Sequence, residues 1–99
     1  MSEYTDQDWA LYPRGGSGRG FKTETGEHEG RAHRTTEGLV ETPHGLVSAY
    51  SSFFQGSYKV SRVEMIKDGR VHFRRWGNKE FTARGLVTKA KQFAAELYA

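Results

Sequence analysis

Four side chains near the middle of the chain have the types needed to act on a phosphate ester. Glu64 and His72 lie on either side of an Asp68-Gly69 turn signal, and Arg62 and Arg74 stand two residues beyond them. If the turn sets Glu64 across from His72, one group can take a hydroxyl proton while the other protonates a leaving oxygen, with the arginines on the phosphate. The same residues also make an ordinary cross-strand ion pair, worth about 0–1 kcal/mol. The segment His28-Glu29-Gly30-Arg31-Ala32-His33 comes near a metal-binding helix pattern, but its histidines are one residue too far apart to share a helical face. The chain has no cysteine, no nucleophile-elbow glycine-serine motif and no phosphate-binding glycine loop. The residues therefore predict a binding protein rather than an enzyme, with no catalytic residue, metal ligand or cofactor assigned.

Whether those four residues meet depends on the register of the Asp68-Gly69 hairpin. A two-residue loop pairs Ile66 with Val71 and Glu64 with Phe73, mixing charged and apolar groups on each face. A three-residue loop, Lys67-Asp68-Gly69, instead pairs Met65 with Val71 and Val63 with Phe73. One face then holds Val63, Met65, Val71 and Phe73, and the other Arg62, Glu64, His72 and Arg74, with Val60 opposite Trp76. A slip of one residue moves every side chain to the other face, so the second register is the one predicted.

The surrounding elements follow from turn and cap signals. Thr42-Pro43-His44-Gly45 predicts a second hairpin with strands Leu39–Thr42 and Leu46–Tyr50. Residues 51–57 read as a connection, with Phe53 and Phe54 plugging a sheet end and Gly56 breaking the strand. Thr82 is a helix cap, Phe81 before it can staple onto Leu86, and Leu86, Ala90, Phe93 and Leu97 recur at helical spacing. The helix stripe and the Val63/Met65/Val71/Phe73 face must cover each other. The expected fold is α+β: an antiparallel sheet of three or four strands packed on one C-terminal helix.

Composition divides the chain in two. Of 99 residues, 18 are Leu, Ile, Val or Phe, and only Leu11 and Phe21 of these fall in residues 1–37. So little apolar area cannot offset backbone ordering of about 1–2 kcal/mol per residue, so residues 1–37 are expected to be a mostly flexible polar arm before a compact domain at 38–99. Within the arm, Thr5 can cap a short turn of helix carrying Trp9, Leu11 and Tyr12 up to Pro13. The formal charge of +3 hides an asymmetry: residues 38–99 hold ten basic and five acidic side chains. The first residues carry Glu3, Asp6 and Asp8 and show no secretory pattern, and apolar runs are too short to cross a membrane. A cytoplasmic location is expected.

With the helix on one face, the other is left with Arg62, Arg70, His72, Arg74 and Trp76, and with Tyr58 near one end. Cations take phosphates and rings stack on bases, so the expected partner is nucleic acid, RNA or DNA. The order of hairpin strands followed by a helix, over roughly residues 58–98, is similar to the small sheet-reading domains of phage integrases and of plant APETALA-type regulators. Arg14-Gly15-Gly16-Ser17-Gly18-Arg19-Gly20-Phe21 resembles the RGG and RGF segments of RNA-binding proteins, which implies that Arg14 and Arg19 would add mobile positive charge. The Glu64/His72 pair, in turn, looks like the acid–base pair of small bacterial ribonucleases, the third reading. The alternative to nucleic acid is a regulator or inhibitor of phage or mobile-element type that grips a host protein. It would use exposed aromatics such as Trp9, Phe53 and Phe54, or an open strand edge.

Overall fold

A computed structural model describes residues 21–99. They form an α+β fold of five antiparallel strands and one C-terminal helix: β1 (Lys22–His28), β2 (Arg31–Thr42), β3 (Gly45–Phe54), β4 (Tyr58–Lys67), β5 (Arg70–Gly77) and α1 (Ala83–Leu97). The strands follow one another in the sheet in chain order, so β1 and β5 are its two edges. The sheet is larger than the three or four strands expected. It takes in residues 22–37, and the boundary expected at Gly38 runs through the middle of β2. Glycines at the reversals supply part of the reason. Glu29 and Gly30 both adopt positive φ, 53° and 79°, and close a two-residue hairpin that pairs β1 with β2. Phe21 supplies the rest: its ring lies directly over Gly38, where a Cβ would come within 2.7 Å of it, and packs against the core. The Trp9 segment and Arg14 to Gly20 lie outside the described residues.

The core is built from alternate residues of the three central strands. Val40 of β2, Val47 and Ala49 of β3, and Val63 and Met65 of β4 face Leu86, Ala90, Phe93 and Ala94 of α1. Thr82 caps the helix as expected, its hydroxyl accepting from the Gly85 amide at 3.1 Å. The helix lies across β2, β3 and β4, and the edge strands are left outside its cover. At its far end Tyr98 stacks on His44 of the β2–β3 turn, ring centroids 4.6 Å apart.

A buried chain of hydroxyls returns the polypeptide from β5 to the helix. Ser51 and Ser61, both fully buried, lie opposite each other on β3 and β4 with their oxygens 2.6 Å apart. The Ser61 hydroxyl donates to the Lys79 carbonyl, and the Phe81 amide donates to Ser51. Ser61 has only one proton and has given it to Lys79, so Ser51 must donate to Ser61. The direction of every bond in the chain is thereby fixed, and the segment 79–81 is pinned across the sheet centre.

Two expectations about strands are overturned. Residues 51–54 continue β3 rather than forming a connection, and the reversal is confined to Gln55–Ser57, with Gly56 at φ 76°. More consequentially, β4 and β5 pair in the register of the two-residue loop, not that of the three-residue loop expected: Ile66 with Val71, Met65 with His72, Glu64 with Phe73 and Val63 with Arg74. Asp68 and Gly69 both have positive φ, 55° and 77°, the mirror-image turn whose twist matches the flanking strands. That turn could win because α1 does not cover β5. β5 meets the helix side mainly through Trp76 against Phe81 and Arg74 against Glu96, so turning Val71 and Phe73 that way would gain little burial under α1.

Candidate nucleic-acid interface

The register decides which side chains share a surface, because directly paired residues stand on the same face. Met65, Val63 and Ser61 point to the helix side, and so do their partners His72, Arg74 and Trp76. Arg62 is on the opposite face, open in the sense that α1 does not cover it, paired with Arg75 and beside Glu64 and Phe73; the middle of this face, at Leu39, Ser48 and Glu64, is buried. The surface expected to unite Arg62, Arg70, His72, Arg74 and Trp76 is therefore divided between the two sides of the sheet. Arg74 reaches across to Glu96 of α1 at 2.6 Å, and Trp76 packs edge-on against Phe81 at 5.4 Å. His72 is half-buried beside Met65, and Arg70 is exposed at the start of β5 on the helix side. The Glu64/His72 pairing does not form: the two side chains are on opposite faces, so no acid–base relay links them.

The open face has its own arrangement of cations and rings. Arg62 lies over the Phe73 ring, 4.0 Å from its centroid, and its Nε donates to Glu64 Oε1 at 3.0 Å. Phe73 is 54% exposed. Arg75, one strand over from Arg62, is exposed and makes no ion pair among the described residues. Glu64 is only 3% exposed, and its Oε2 has no hydrogen-bond partner among the described residues. Burial pushes its carboxyl above the ordinary value, and the adjacent Arg62 opposes that shift without cancelling it.

A second group of rings stands at the distal end of the same face. None of residues 31–35 or 52–60 is buried, so the sheet here outruns the helix. Gln55 ties the β3–β4 turn to β2: its amide donates to the Ala32 carbonyl at 2.9 Å and its side-chain oxygen accepts from the Ala32 amide at 3.0 Å. On this platform Arg31 lies 4.7 Å over Phe54, whose ring neighbours Tyr58 at 6.1 Å and His28 at 6.4 Å. Tyr58, half exposed, is the one expected site residue that falls in this group. His28 and His33, too far apart for a helix, share a face because they sit on a hairpin. No cluster of metal-ligating side chains forms among the described residues.

Charge is graded across the sheet. Residues 22–42, which carry β1 and β2, hold three basic and five acidic side chains; residues 58–77, which carry β4 and β5, hold six basic and two acidic. On the helix side Arg34 forms a two-pronged bond to Glu80 at 2.7 and 2.8 Å, lowering the Glu80 carboxyl below its usual value, and on the opposite face Arg62 is paired with Glu64. Sequence reasoning missed Arg75, Phe73 and Arg31 as surface groups. The two-residue Asp-Gly turn was the signal that would have found the first two.

No family model, no curated protein and no solved structure matches this chain. No helix among the described residues is long and apolar enough to cross a membrane.

Proposed function

We propose that this domain binds nucleic acid along the β3–β5 half of its open face. Arg62 and Arg75 take phosphates, and Phe73, Phe54 and Tyr58 offer rings to bases. The observation that carries the reading is the placement of Arg62, Arg75 and Phe73 together on the side away from α1, at the basic edge of the graded sheet. Arg14 and Arg19, in the segment preceding the sheet, add positive charge to the same chain. A protein partner is the competing reading, and the edge of β5, unpaired among the described residues, favours it, since an extended peptide can add to an open strand. Yet Arg70, Arg74 and Arg75 along that edge are the charges that discourage strand addition. Titration with single-stranded RNA, single-stranded DNA and duplex DNA at low and moderate salt tests the proposal. Salt-sensitive binding of at least one of them is expected; no binding of any at low salt removes it.

A further inference from the structure

The distal cleft on the open face has a shape and lining that Arg62 and Phe73 do not explain. It is a shallow depression of about 310 Å³ whose lining includes His28, His33, Thr35, Ser52, Phe54 and Tyr58. Two aromatic rings stand beside two imidazoles and two hydroxyls, and all but Thr35 and Ser52 can present a flat π surface. His33 lies across Gly26, its cross-strand partner: a Cβ on Gly26 would come within 2.7 Å of the imidazole. The absence of a side chain on β1 thus leaves room for the ring to lie against that strand. Arg31 lies over the Phe54 ring, which brings a cation to the cleft's border.

We infer that this cleft receives a single unpaired nucleobase of a strand whose phosphates follow the Arg62/Arg75 edge. The inference rests on the nucleic-acid reading above and specifies its substrate as single-stranded. A planar heterocycle suits the cleft because it stacks on Phe54 or Tyr58 while its edge meets imidazole and hydroxyl groups, which both donate and accept hydrogen bonds. A paired base cannot enter without leaving the duplex, at a cost of a few kcal/mol in unstacking and unpairing. Along β4, Tyr58 and Arg62 are four residues apart, about 13 Å at the rise of a strand. A short strand therefore spans both groups.

Fluorescence anisotropy with three probes of matched charge tests this: a labelled single strand of roughly 12 nucleotides, a hairpin duplex, and an abasic strand that keeps the phosphates. The wild-type chain is expected to bind the single strand roughly tenfold more tightly than either of the others. Tyr58→Ala should lose about that factor on the single strand and nothing on the abasic one, while Tyr58→Phe, which keeps the ring, restores binding. Equal affinity for the single and abasic strands, or indifference to Tyr58→Ala, overturns the cleft assignment and leaves the phosphate-binding edge standing. Failure of all three probes to bind at low salt overturns the nucleic-acid reading itself.

Discussion

The guanidinium of Arg62 lies 4.0 Å from the centre of the Phe73 ring, joining β4 to β5 on the face that α1 leaves open. Glu64 holds that guanidinium from the side, through a 3.0 Å bond to Nε. The ring is thus presented to the solvent with a partly buried cation lying over it. The consequence for Phe73 is specific. Because the ring is more than half exposed and its main contact is the Arg62 guanidinium, Phe73→Ala should cost only about 1 kcal/mol of folding stability. It should nonetheless weaken binding of a single-stranded oligonucleotide by roughly tenfold. Urea denaturation and anisotropy on the same variant separate the two effects.

Glu64 and Glu80 are expected to titrate on opposite sides of the ordinary carboxylate value. Burial raises Glu64, whereas the hydrogen bonds from Arg34 lower Glu80. A raised carboxyl binds its proton more readily in the folded chain. Glu64 therefore weakens the fold progressively as pH climbs from the unfolded value through the raised folded one. Glu80 works the other way: its contribution is present above its unfolded value and disappears as pH falls through the lowered one. Carboxyl-carbon resonances followed against pH check both directions. Glu64→Gln should gain stability relative to wild type as pH rises from acid to neutral; a difference that does not vary with pH contradicts the assignment.

The hydroxyl chain at the sheet centre predicts a coupled pair of losses. Ser61→Ala removes the donor to the Lys79 carbonyl and the acceptor for Ser51 at one stroke, in a fully buried site. A cost of about 1–3 kcal/mol is expected. Ser51→Ala should cost a similar amount, and the double variant less than the two combined, because each single change strands the other's partner. Additive losses in a double-mutant cycle would show that the two serines act separately.

Two glycines on the first hairpin predict different outcomes for the same substitution. At Gly38 an added methyl meets the Phe21 ring at 2.7 Å and its backbone at 2.9 Å, and backbone cannot step aside cheaply. Gly38→Ala should destabilise by about 1–3 kcal/mol. At Gly26 the obstruction is the imidazole of His33 alone, a side chain that can swing away. Gly26→Ala should leave stability nearly intact and reduce single-strand binding by displacing the ring from the cleft. Thermal melts and anisotropy on the two variants check the contrast.

The helix and its partner strands were legible because cap, staple and apolar spacing all agree: Thr82, Leu86, Ala90 and Phe93 do what their positions require. Local signals failed wherever a distant element decided the outcome. Alternation in β5 predicts the other register only if the helix covers that strand; α1 lies over β2, β3 and β4 instead, and the Asp68-Gly69 turn is free to set its own twist. The strands at residues 22–37 were hidden for a related reason. The polar residues Thr23 to His28 are all exposed, and β1 is held by backbone pairing to β2 with Thr23 bonded to Thr36 and Phe21 anchoring its start. Sequence could suggest the kinds of residue at the candidate site; only the register could say that Arg62 belongs with Phe73 and Arg75 rather than with His72 and Arg74.

The most direct test of the open-face interface is the salt dependence of single-stranded oligonucleotide binding by wild type and by Arg62→Ala/Arg75→Ala. Each phosphate contact on a single strand contributes about 0.7 to the slope of log affinity against log salt concentration. The double variant should therefore bind more weakly and show a slope shallower by about 1.4. An unchanged slope and affinity, with the fold intact, would contradict the claim that these two arginines hold the phosphates.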